Sequence, residues 1–77
     1  MKVTKGEYSQ FSLKGRIQLL KEFGKLIVEK KVEGRGLRVF ELYDFYVVVL
    51  YKKGFKTAES AELISPGELL RFYMNKP

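Results

Sequence analysis

The sequence predicts an α+β fold: an antiparallel meander of three to four strands flanked by an N-terminal and a C-terminal helix, in the order α-β-β-β-β-α. Three observations carry this. Phe45–Tyr51 is an unbroken apolar run dense in β-branched and aromatic residues, which favours a strand. Two turn-forming stretches, Glu33-Gly34-Arg35-Gly36 and Lys52-Lys53-Gly54-Phe55, cut the middle of the chain into short extended segments. Helical spacing of apolar residues occurs only before Gly24 and after Ser65.

In chain order, residues 1–8 are polar and are expected to form a loose N-terminal segment of a single domain spanning 1–77. Leu13, Ile17 and Leu20 then recur at i, i+4 and i+7, widened by Leu19 and Phe23. This predicts a helix from Ser9 or Ser12 to Phe23, with a serine cap at its start and Gly24 at its end. From Lys25 to Val32 the period changes to two: Leu26, Val28 and Val32 share one face, and Ile27, Glu29 and Lys31 the other. Leu37–Tyr43 reads as a second strand, with Asp44 a tight connection to the third; one long bent strand from Leu37 to Tyr51 is the alternative. In Phe45–Tyr51 both faces are apolar, so Val48 and Val49 are both expected to be buried. Lys56–Ile64 is polar enough for an edge strand. Ser65-Pro66-Gly67-Glu68 combines a serine cap, proline at the first position and glutamate three residues on, which opens a helix running to Met74. Its residues Leu69, Leu70, Phe72 and Tyr73 are expected to face the sheet.

Composition narrows the chemistry. The 77 residues contain neither cysteine nor histidine, so disulfides, thiolate metal sites and the commonest general base are excluded. No carboxylates are spaced as a catalytic motif, and Gly34-Arg35-Gly36 is turn geometry rather than a phosphate loop. A non-enzymatic protein with no cofactor and no metal is expected. The longest apolar run has seven residues, against roughly 20 for a membrane-spanning helix. Met1–Gly6 has no secretory apolar core, so a cytoplasmic protein without membrane contact is expected.

The net charge of +6 has a direction once the meander is drawn. Its first and third turns lie at the same end, which gathers Lys30, Lys31, Arg35, Arg38, Lys52, Lys53 and Lys56. Lys14, Arg16, Arg71 and Lys76 are expected to point there from the helices, while Glu22, Glu41, Asp44, Glu59, Glu62 and Glu68 tend to the opposite pole. Tyr51 and Phe55 interleave with the basic end, where they can stack on bases. Nucleic acid or another polyanion is therefore the expected ligand. Its expected site is Lys31, Arg35, Arg38, Lys52, Lys53, Lys56, Tyr51 and Phe55.

The apolar second face of the sheet carries the alternative, a structural or adaptor domain that binds protein. It also predicts a homodimer, because two short helices can cover only one face. In element order, residues 12–74 resemble the double-stranded RNA-binding domain, which holds phosphates with lysines at the start of its last helix. Here Ser65–Leu69 offers Glu68 and no lysine, and a fourth strand is expected, so no residue role transfers.

Overall fold

The computed structural model describes residues 2–74, with side chains as far as Arg71. The elements are α1 (Lys5–Gln10), α2 (Leu13–Phe23), β1 (Lys25–Val32), β2 (Arg35–Leu42), β3 (Phe45–Tyr51), β4 (Ala58–Ile64) and α3 (Pro66–Met74). The four strands form one antiparallel sheet in the order β1-β2-β3-β4, flanked by helices at both ends of the chain. The expected meander is present.

One expectation fails at the start of the chain. Residues 4–8 are not loose: Thr4 and Glu7 form a reciprocal capping box that opens α1. The Glu7 amide donates to Thr4 Oγ1 at 3.2 Å, and the Thr4 amide to Glu7 Oε1 at 2.9 Å. A helix of six residues has little stability of its own. Tyr8 anchors it. That ring is fully buried, meets Phe45 edge-on at 5.6 Å, and donates its hydroxyl to the Ala61 carbonyl at 2.9 Å.

Burial pushes the Tyr8 phenol well above its ordinary pKa; Arg16 opposes the shift and Glu62 reinforces it. The folded value thus exceeds the unfolded one, near 10. The contribution is complete below about pH 10 and falls at higher pH, where the unfolded chain releases a proton that the folded chain retains. Tyr8→Phe is expected to cost about 1 kcal/mol at neutral pH. It should also flatten the alkaline loss of stability relative to the parent. Urea midpoints at neutral pH and above about pH 10 check this; parallel declines in the two proteins would contradict it.

The strand connections follow from local chemistry. Glu33 and Gly34 both take positive φ, 52° and 82°, the mirror-image turn whose twist suits a two-residue hairpin. Tyr43 and Asp44 join β2 to β3 with Tyr43 at φ 57°, so residues 37–51 are two strands rather than one bent one. Ser12 caps α2, and Gly24 ends it in an extended conformation. At α3 the Glu68 amide donates to Ser65 Oγ and the Ser65 amide to Glu68 Oε1, completing the expected box.

The helices straddle the sheet. Leu42, Phe45, Val47 and Val49 pack with Tyr8 and Leu20 on one face, whereas Leu37 and Val39 pack with Leu69 on the other. The two faces are covered unequally. Val49 is fully buried, but Val48 is only half-buried, which corrects the expectation that both would be. Leu70 is exposed rather than turned to the sheet, and the side chains of Phe72 and Tyr73 lie outside the described residues. Because α3 occupies part of the second face, the sheet-wide apolar surface behind the expected homodimer is not present. Val32 and Leu50 remain exposed.

Candidate nucleic-acid interface

The basic end is built from two turns locked together. At the start of β2, the Gly36 amide donates to the Gly54 carbonyl at 2.7 Å, and the Gly54 amide donates to the Gly34 carbonyl at 2.9 Å. Two connections that would otherwise be independent loops thus share a hydrogen-bonded base. The second connection is longer than the expected four-residue turn. It runs from Lys52 to Thr57, closed by Lys52 N–H to the Thr57 carbonyl at 3.0 Å, so β4 starts at Ala58 rather than Lys56.

On this base stand Lys31, Lys52, Lys53 and Lys56, all exposed. Among the described residues none of the four meets a carboxylate within ion-pair distance. Glu33 supplies one exposed carboxylate at the tip. Four lysines against one glutamate leave a positive surface.

The arginines behave differently, and here the structure departs from the expected segregation of charge. Arg35 donates Nη2 to Glu59 Oε1, and its Nε to the Tyr51 carbonyl at 3.1 Å. Glu59 therefore belongs to the basic end, not to the opposite pole. Arg38 donates Nε to Glu29 Oε2 at 2.7 Å and Nη1 to the Tyr51 hydroxyl at 3.4 Å. Burial alone would lower the Arg38 pKa, but the bonds to Glu29 and Tyr51 outweigh it and hold the value above normal. Arg16 is not part of the end at all. Its Nη1 donates to the Ala61 carbonyl and to Glu62, its Nη2 to the Ser9 carbonyl and its Nε to the Phe11 carbonyl, clipping α1 and α2 to β4. Lys14 and Arg71 are exposed on their helices, and Lys76 lies outside the described residues.

Both aromatic residues lie where the sequence puts them, but in different roles. Tyr51 is buried, 8% exposed, so its ring is no platform for a base. Phe55 is half-buried, meets Tyr51 edge-on at 5.5 Å, and lies beneath the Arg38 guanidinium at 4.4 Å from the ring centre. The layers are Tyr51, Phe55 and Arg38. Tyr51 is closed off, whereas Arg38 and Phe55 are both half-buried, with Arg38 lying over the Phe55 ring.

Comparison of the chain with protein-family models, curated proteins and solved structures gives no match.

The roles of three residues at this end were not apparent from the sequence. Glu29 and Glu59 enter through pairing: Glu29 faces Arg38 in the β1–β2 register, and Glu59 is brought to Arg35 by the late start of β4. Gly36 admits the second turn, since a Cβ there would lie 2.2 Å from the Gly54 carbonyl oxygen. Among the described residues, no helix is long and apolar enough to cross a membrane.

Proposed function

We propose that this chain is a small non-enzymatic binding module of the cytoplasm that holds nucleic acid by its phosphates at the joined-turn end. One observation carries the reading: Lys31, Lys52, Lys53 and Lys56 are exposed, without carboxylate partners among the described residues, on two turns hydrogen-bonded to each other. Solvated lysines on a hairpin tip are commonplace. Here each arginine of the end has a glutamate partner while these lysines have none, so the positive charge left over is concentrated.

Phosphate binding releases counterions, so log K should fall with log salt by about 0.9 for each duplex phosphate neutralised and about 0.7 for a single strand. The double variant Lys52→Glu/Lys53→Glu is expected to weaken binding of every sequence, because phosphate contacts position without reading bases. The slope should become shallower by about 1.4 on a single strand and about 1.8 on a duplex. Both residues are exposed turn residues, so the denaturation midpoint should hardly move. Anisotropy titrations at two salt concentrations check this. Affinity indifferent to the double reversal would leave the lysines as solubilising charge.

Self-association is the second reading, favoured by the exposure of Val32 and Leu50, 49% and 36%, on the face that α3 only partly covers. A second copy is the occupant this reading names. Sedimentation equilibrium distinguishes the cases: a monomer from micromolar to millimolar concentration removes the homodimer and leaves phosphate binding untouched.

A further inference from the structure

We infer that the joined-turn end prefers single-stranded nucleic acid, with an unpaired base stacking on the accessible surface of the Arg38 guanidinium. This inference rests on the phosphate-binding reading above and adds the class of strand.

The lysines alone cannot discriminate between strands. A lysine is a point charge on a flexible stem and serves any polyanion. Arg38 is held quite differently. Its Nε is bound to Glu29 at 2.7 Å, its Nη1 to the Tyr51 hydroxyl at 3.4 Å, and its Cζ lies 4.4 Å from the Phe55 ring centre. Phe55 is itself braced by Tyr51 and by the backbone of Gly36. Even so, the Arg38 side chain keeps 31% of its surface exposed.

Such a guanidinium is immobilised before any ligand arrives, so little side-chain entropy remains to be lost on binding. Its pairing with Glu29 reduces its value as a counter-charge for phosphate. What survives is a flat, weakly hydrated surface, the kind on which bases stack. A duplex keeps its base faces against one another, so only an unpaired base can use it. The four lysines would then follow the backbone on either side of the stacked base.

The experiment compares three probes: a mixed-sequence single strand, a duplex of the same sequence, and inorganic polyphosphate. The native protein should bind the single strand most tightly of the three. Arg38→Lys keeps the charge and removes the plane. It is expected to weaken single-strand binding by roughly ten-fold, while duplex and polyphosphate binding change by less than about two-fold, as expected for phosphate contacts that do not use the plane. Phe55→Leu, which removes the supporting ring, should give the same pattern and serves if Arg38→Lys does not fold.

Two results overturn the inference: no preference for the single strand in the native protein, or an equal loss on all three probes in both variants. Lys52→Glu/Lys53→Glu is titrated alongside. If it weakens all three probes while Arg38→Lys weakens single-strand binding no more than the other two, the stacking inference fails and phosphate binding stands. If it weakens none, phosphate binding fails, and the inference with it.

Discussion

Phe45→Ala is expected to lower the unfolding free energy by about 3–5 kcal/mol, the range for removing a buried aromatic ring. Phe45 is 2% exposed at the start of β3, paired with Leu42 across the Tyr43–Asp44 turn. Its ring joins three elements: Tyr8 of α1 lies edge-on at 5.6 Å, and Tyr43 of the turn is tilted at 6.3 Å. Deleting the ring removes transfer free energy and leaves a cavity against a sheet that is hydrogen-bonded on both sides and cannot readily collapse. A chain of 77 residues has roughly 4–12 kcal/mol of stability in all. The variant should therefore be partly or wholly unfolded without ligand. Urea denaturation checks it, with Phe45→Leu as the milder companion that should still fold. A loss below about 1 kcal/mol would mean that Phe45 does not tie α1 to the sheet.

The second large effect is expected at Gly36, from adding a single methyl group. In Gly36→Ala the new Cβ would lie 2.2 Å from the Gly54 carbonyl oxygen and 2.5 Å from Phe55 Cδ1. Neither can yield easily. The carbonyl is backbone, and it accepts the Gly36 amide. The two turns must part, with loss of the Gly36–Gly54 and Gly54–Gly34 hydrogen bonds. Overpacking together with two hydrogen bonds gives about 2–4 kcal/mol. The displacement also lifts Phe55 from beneath Arg38 and moves Lys52, Lys53 and Lys56 away from Lys31, so nucleic-acid affinity should fall along with stability. Denaturation and anisotropy on the same sample read both. An unchanged midpoint would show that the turns do not touch.

Much of this architecture can be read locally in the chain. Phe45–Tyr51 reads as a strand because it is short, rich in β-branched and aromatic residues and bounded by turns, and Ser65–Glu68 specifies a helix start by its own hydrogen bonds. α1 was also open to such a reading, because Thr4-Lys5-Gly6-Glu7 has capping-box spacing. Glycine within so short a segment hides it, and what holds it is a hydrogen bond to a residue 53 positions away. The unseen helix changes the count of layers: with α1 and α2 sharing one face, α3 is free to take the other.

The candidate site is legible in outline and not in its pairing. Hairpin topology is enough to bring Lys31, Arg35, Arg38, Lys52, Lys53, Lys56, Tyr51 and Phe55 to one end. Which cations remain unpartnered depends on register. A strand that begins two residues later than expected sets Glu59 beside Arg35, and the β1–β2 pairing sets Glu29 beside Arg38. Neither offset has a local signal.

The bonds that α1 and α2 send to β4 also bear on how the protein behaves when concentrated. The Ala61 carbonyl accepts both the Tyr8 hydroxyl and Arg16 Nη1, leaving it no capacity for a neighbouring chain. On the far side, β1 is interrupted by a bulge between Leu26 and Val28 and carries Lys25, Lys30 and Lys31. A ribbon that grows by strand addition needs a flat, uncharged row of free amides and carbonyls. Both outer strands interrupt that row, at Ala61 in β4 and at the bulge in β1, which disfavours strand addition at either edge.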